Sequence, residues 1–257
     1  MPEATESLLT GARALRQHFM AAPYRVAERD QPLLRADAGA AQLFLIHRGI
    51  AYRSCSVPSG KRAILDLLLP GDISGIDQLV LRRPDQEIIA AGTVGYRALP
   101  AAAVHRLVSD PEVALSLIGL LAEVRARMDR HLAAIARLQA RERLCTMLLD
   151  VHDRLRRRDL IVRPSFNLHL TQEQIADYLG LTMVHVNRTL RQLREERLAL
   201  IDRQVVIIID LPRLREIVYG IEPAAGGPRH FSLSPEPAVV EQPIDGPPVS
   251  PPRSPPP

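Results

Sequence analysis

Apolar residues recur along this chain with two alternating periods, and each change of period marks a boundary. Residues 7–21 hold apolar side chains at helical spacing and predict an amphipathic helix. From 24 to 107 the runs shorten to strand length. "AQLFLIHRGIAYRSCSVP" and "KRAILDLLLPGD" are apolar or alternating, cut by turn chemistry at "HRG", "PSGK" and "PGD", and "EIIAAGTVGYRALP" supplies two more short strands. Strands at this spacing predict a compact barrel or sandwich.

Helical spacing returns at 109 in "SDPEVALSLIGLLAEVRARMDRHLAAIARLQ". Ser109 or Asp110 can cap this helix, Pro111 suits its first position, and Glu112 suits the positive end of its dipole. Leu117, Leu121, Val124, Met128, His131, Ile135 and Leu138 follow four-three spacing, a seam for a second helix. The expected partner is the same helix of a second copy, because a small β domain covers only part of a stripe this long; burial on the chain's own β domain is the alternative. Another helix is predicted over roughly 141–158. Its core stripe is Leu144, Leu148, Val151 and Leu155, with Cys145 and Met147 as packing residues, and "RPSFN" then breaks the chain.

The stretch "LTQEQIADYLGLTMVHVNRTLRQL" reads as two short helices joined at a glycine. Thr171 caps the first, with Gln174 completing a capping box. Ile175, Ala176 and Leu179 face inward, Gly180 supplies a left-handed turn, and Leu181 plugs the corner. Thr182 caps the second helix, whose buried face is Val186, Leu190 and Leu193. This is a helix-turn-helix pattern. "LALIDRQVVIIIDLPRLREIV" follows as strand, tight turn at Asp202-Arg203-Gln204, strand and short helix, which predicts a wing and a winged-helix module over 139–219. In such a module the second helix enters the major groove. Arg188 is then the first candidate for base reading, through two bonds to guanine, with His185 and Asn187 adding hydrogen bonds. Met183 and Val184 offer apolar contact, for example with thymine methyls. Thr171 and Thr182 suit phosphates, and Arg191, Arg194 and Arg203 suit the backbone.

Charge strengthens this reading. The net charge is only +4, but residues 1–124 balance at 13 basic and 13 acidic side chains, while 125–215 hold 18 Arg against 11 acidic residues. A third of the chain carrying the whole excess favours a polyanionic partner, here double-stranded DNA. The 257 residues allow one large domain or two ordinary ones. Two cysteines, Cys55 and Cys145, fall short of a four-cysteine metal site, and no basic-then-apolar leader opens the chain. The longest apolar runs are well below the roughly 20 residues of a membrane span, so a cytoplasmic location is expected. No paired carboxylates, nucleophile motif or phosphate-cradling glycine loop is present, so no enzyme is expected, no cofactor and no metal are assigned, and His152 with Asp153, and His105, read as surface residues. From 220 to 257 the composition turns to proline, ending "PPVSPPRSPPP", which predicts a disordered tail.

The order of parts resembles the Crp/Fnr superfamily of bacterial transcription regulators over residues 24–219, carried most specifically by "LTQEQIADYLGLTMVHVNRTLRQL" and "LLLPGDISGIDQL", with "LFLIHRGIAYR" in support. The resemblance implies an α+β chain: a cyclic-nucleotide-binding-like β-roll at 1–108, a dimerisation helix at 109–138, a winged helix-turn-helix at 139–219 and the tail. It implies a homodimer on a twofold-symmetric operator, with contacts to RNA polymerase. Departures from the family bear on the effector, which stays unassigned. Ile76 stands where cyclic-nucleotide sensors carry Glu, and "RRPDQEIIAA" lacks their Arg-Ser pair, with Arg82 and Arg83 the nearest substitutes. The N-terminal cysteines of the iron–sulfur members are missing. His47 and Cys55 are of the residue types that ligate haem, so a haem- or metabolite-responsive sensor is the alternative reading.

Overall fold

The computed structural model describes residues 2–35, 41–81 and 86–220. Helix α1 (Pro2–Ala21) leads into β1 (Tyr24–Ala27), β2 (Pro32–Leu34), β3 (Gln42–Arg48), β4 (Ala51–Ser56), β5 (Arg62–Leu68) and β6 (Ile73–Ser74). A short helix, α2 (Gln78–Leu81), precedes β7 (Gln86–Ala90) and β8 (Val94–Pro100). The strands pair antiparallel into two four-stranded sheets, β1-β8-β3-β6 and β2-β7-β4-β5. Inward residues of both, including Leu34, Phe44, Ile46, Leu68, Ile88 and Tyr96, form one core, as alternation along each strand requires. The Pro-rich tail from 221 onward lies outside the described residues, as do Arg82 and Arg83.

The stretch read as β-rich to 107 ends instead in helix α3 (Ala101–Leu107). Pro100 cannot continue a ladder, and the alanine run behind it has high helix propensity. The long helix α4 (Pro111–Arg137) begins at Asp110, not Ser109: the Asp110 carboxylate accepts the Glu112 N–H at 2.8 Å. Leu15 and Phe19 of α1 pack with Val113, Leu117 and Leu120 of α4. Gly11 sets that crossing, since a Cβ there would lie 1.9 Å from the Glu112 carbonyl oxygen.

Helix α5 (Ala140–Arg157), β9 (Ser165–Asn167), α6 (Gln172–Leu179), α7 (Met183–Glu195), β10 (Ala199–Asp202), β11 (Val205–Ile208) and α8 (Leu211–Tyr219) complete the chain. The "RPSFN" break contains a strand. β9 pairs with β11, Phe166 opposite Val206, so the wing is three-stranded, and a three-residue strand is too short to show a period in sequence. His152, expected at the surface, is buried at 1% exposure. Its Nδ1 lies 2.8 Å from Asp153 Oδ1, which also accepts from Arg215 of α8 at 3.1 Å, so the pair helps fix α8 on α5.

The two halves share a core. Ile50, Tyr52, Ile64, Leu67 and Leu69 of the β-roll join Leu144, Leu148, Val151 and Leu155 of α5 and the apolar side of α6. A polar clamp lies beside it. Asp72, the acid of the "PGD" turn, pairs with Arg154 of α5 and, at 2.6 Å, with Arg158, the residue that caps the end of α5, and also accepts the Leu69 N–H. Arg62 reaches Asp177 of α6 at 2.9 Å, and Arg29 reaches the His169 carbonyl and Gln204 of the wing. Helix α4 is tied to the roll by a two-bond pair between Arg127 and Asp66 at 2.6 and 2.8 Å.

The expected dimer seam divides between two faces of α4. Leu117 is spent in the chain's own core and His131 stacks on Tyr178 of α6 with ring centroids 4.1 Å apart, while Val124 and Ile135 are half-buried. Leu121 and Met128 stay exposed, joined on that side by Ile118 at 61% and Leu132 at 66% exposure. Glu123, half-buried on the inner side with Oε1 unpaired among the described residues, has its carboxyl pushed up to about 7, burial outweighing Arg158 and Arg127. A raised folded-state pKa stabilises below the unfolded value near 4.5 and loses that contribution as pH rises toward 7. Glu123→Gln is therefore expected to raise the melting temperature at pH 8 and to leave it nearly unchanged at pH 4.5; an equal effect at both would exclude a titrating carboxyl.

Candidate nucleic-acid interface

The motif at 171–193 is assembled from local bonds. Thr171 Oγ1 accepts the Gln174 N–H at 3.1 Å, and Gln174 Oε1 accepts the Thr171 N–H at 2.9 Å, closing the capping box. Gly180 sits at φ +63°, the left-handed region where glycine carries no steric penalty, and ends α6. The Leu181 N–H then donates to the Ala176 carbonyl at 3.0 Å, turning the chain into α7. Thr182 Oγ1 accepts the His185 N–H at 3.3 Å. Both threonine hydroxyls keep their protons to donate outward, beside helix N-termini that attract phosphate. Removing either cap, by Thr171→Ala or Thr182→Ala, should cost about 1 kcal/mol in urea unfolding, with serine restoring most of it.

Val186 and Leu193 are buried and Leu190 half-buried on the inner side of α7, which seats it against α5 and β10. Thr189 is buried with them, its hydroxyl donating to the His185 carbonyl at 2.8 Å. The opposite side stands in solvent: Met183, Val184, His185, Asn187, Arg188 and Arg191 are all exposed. Arg191 pairs with Glu195 at 2.8 Å along the helix, whereas Arg188 has no ion-pair partner among the described residues. Arg203 is at the wing tip, where Arg203 (φ +44°) and Gln204 (φ +74°) form a two-residue turn with both residues left-handed. Thr171, Thr182 and the α7 set thus share one helix pair, and Arg203 extends from the adjoining wing.

The arginine excess is only partly available to such a surface. Arg127, Arg154 and Arg158 are committed to Asp66 and Asp72, and Arg141 to Glu196 at 2.5 Å. Arg188, Arg191 and Arg194 of α7 and Arg203 of the wing are among those left facing outward, as are Arg130, Arg137, Arg156, Arg163 and Arg213 elsewhere in the segment.

In the β-roll, Ile76 is buried in the apolar cluster under α1 and α4, and offers a ligand no charge. Arg53 of β4 pairs with Asp77 and reaches Gln86 and the Met128 sulfur of α4. His47 lies on β3 and Cys55 on β4, in different sheets. Burial lowers the His47 pKa, helped by Arg97. Among the described residues no group of three or more His, Cys, Asp and Glu could hold a metal ion, and no helix is long and apolar enough to cross a membrane.

Residues 142–217 match the family model of the Crp-like helix-turn-helix domain. The nitrogen fixation regulation protein FixK of Rhizobium meliloti is 30% identical over 170 residues, 65% of this chain and 72% of that protein. FixK of Azorhizobium caulinodans is 28% identical over 193 residues, 75% and 77% of the two chains. The transcriptional activator FnrL of Cereibacter sphaeroides is 28% identical over 178 residues, 65% and 69%. Among solved structures, FixK2 from Bradyrhizobium japonicum superposes with a TM-score of 0.67 at 24% identity, covering 77% of this chain and 98% of that one. A mutant of CooA from Carboxydothermus hydrogenoformans gives 0.60 at 18%, covering 78% and 89%. These likenesses carry the fold beyond the matched helix-turn-helix to the roll and the long helix.

Proposed function

The chain belongs to the Crp/Fnr family of transcription regulators, and from that premise we propose that it acts as a homodimer on a palindromic operator, each α7 lying in one major groove. The observation that carries this is α7 itself: a helix with a hydroxyl cap at its N-terminus, seated by three apolar residues, with its outer side exposed and Arg188 without an ion-pair partner among the described residues. An exposed guanidinium on the first turns of a groove helix forms two bonds with O6 and N7 of guanine. The capping threonines, Arg194 and Arg203 hold the backbone, and Arg191 joins them by exchanging Glu195 for phosphate. The outer stripe of α4, Ile118, Leu121, Met128 and Leu132, pairs with its twofold copy. That sets the two recognition helices on half-sites about one helical turn apart. On the bound operator the dimer contacts RNA polymerase.

Sequence selection with the purified chain tests this. A palindrome is expected, with affinity falling steeply as salt rises. Arg188→Ala should cost about 1–3 kcal/mol on the preferred site and relax choice at one base pair per half-site. Uniform weakening on every sequence would reduce Arg188 to a phosphate contact, and failure to select any sequence would end the proposal.

A further inference from the structure

Helix α7 carries an apolar tip where solvent alone gives it no purpose. Its buried side is centred on Val186, Thr189 and Leu193, so at 100° per residue the centre of the opposite side is the row Val184, Arg188, Arg191 and Glu195. Val184 heads that row in the first turn with 75% of its surface exposed, and Met183 beside it is 48% exposed. A β-branched residue is stiff and a poor helix former, so an exposed valine adds nothing to the stability of α7. The same half of the helix has no carboxylate: the first acid on α7 is Glu195, which is held by Arg191. The side-chain type best suited to accept a hydrogen bond from the cytosine N4 amino group is therefore missing where base edges are met. In the major groove the one apolar feature of a base edge is the thymine 5-methyl.

We propose that Val184 is a specificity-determining residue that packs on the 5-methyl group of a thymine in each half-site, with Met183 widening the contact. The proposal rests on α7 being the recognition helix. Val184 and Arg188 are one turn apart, about 6 Å along the axis, so the thymine lies roughly two base pairs from the guanine that Arg188 reads. The two residues read by different physics, one by excluding water from a methyl group and the other by paired hydrogen bonds. Their contributions therefore respond to different changes in the DNA.

The test uses the full chain and the operator it selects. Each thymine is replaced in turn by deoxyuridine, which removes only the methyl group. At one position per half-site the affinity is expected to fall about 4-fold, and about 15-fold with both half-sites changed, the size of one methyl group returned to water. With cytosine there, 5-methylcytosine should bind better than cytosine, because the methyl occupies the same place. Val184→Ala should narrow the difference between thymine and deoxyuridine sites, Met183 keeping only a remainder, while Arg188→Ala should keep the difference whole. Alanine favours helix, so unchanged circular dichroism would separate lost contact from lost fold. If no thymine methyl matters, or the full difference survives Val184→Ala, the proposal is wrong although the operator is still bound. If the chain selects no DNA sequence, the recognition-helix reading fails first and takes this inference with it.

Discussion

Replacing Asp72 with alanine is expected to remove about 3–5 kcal/mol of folding stability, because it strands buried positive charge. Arg154 is 5% exposed and Asp72 6%, and Arg158 reaches the second Asp72 oxygen at 2.6 Å. Burial alone pushes the Asp72 carboxyl up, but Arg154, Arg158 and Arg127 overcome it and hold the group well below the ordinary value of 3.8. The folded-state pKa is depressed, so this stabilisation is complete above pH 4 and drains away as acid carries the protein down toward the folded-state value. Urea unfolding at pH 7 measures the loss, and the same titration at pH 3 should show a smaller gap between wild type and variant. Asp72→Asn can keep an acceptor for the Leu69 N–H and should cost less, while flattening the acid side of the stability curve. A loss under 1 kcal/mol for Asp72→Ala would mean that water solvates the arginines. Because Asp72 belongs to the roll and the two arginines to α5 and its C-cap, the clamp also fixes the winged-helix half on the roll. Hydrogen exchange should therefore show α5 and the 67–72 segment loosening together in the variant.

Glutamate at Leu121 and Leu132 together should produce a folded monomer with operator affinity reduced roughly 100- to 10,000-fold, the range expected when two half-sites cease to be bound by one linked molecule. Both side chains are exposed on the outer side of α4, so the change leaves the chain's own cores intact. Between them lies Arg125, paired with Asp129 at 2.9 Å, a polar break within the apolar stripe. Leu117→Glu is the contrasting variant: it buries a charge among Leu15, Phe19 and Val113 and should unfold the N-terminal half. Light scattering against concentration and titration of the selected operator give the two readouts. A double variant that stays dimeric with full affinity would move the interface elsewhere.

Legibility varied with the range of the interaction. The caps of α6 and α7 and Gly180 are readable because each is satisfied within four residues of chain, and the inward positions of both helices are readable because their spacing follows the helical period. The same holds for the "PGD" turn, whose backbone role is local, though nothing in it announced two arginines more than 80 residues away. β9 leaves no signal in the sequence because Ser165–Asn167 is ordered by β11, about 40 residues later. The sequence spacing of α4 places Leu117 and His131 in its seam, one step off the exposed side. An apolar arc wider than one face has no unique centre in sequence, and the docking of α1 and α6 chose the division. The burial of His152 is hidden from the sequence for a related reason, since α8 is docked on α5 beside it through Arg215 and Asp153.

What the sequence determined by itself is the long helices, the helix pair at 171–193 and the chemistry on offer there, but not α3 or β9, since hydrophobic period, capping and glycine turns act through near neighbours. What only the tertiary structure decided is which charges are spent inside and which remain for a partner. Arg127, Arg154 and Arg158 count equally with Arg188 in a charge tally, yet three are neutralised by Asp66 and Asp72 across distant contacts and one faces solvent. Coulomb attraction depends on separation in space and on exclusion of water, and the chain acquires both only by folding.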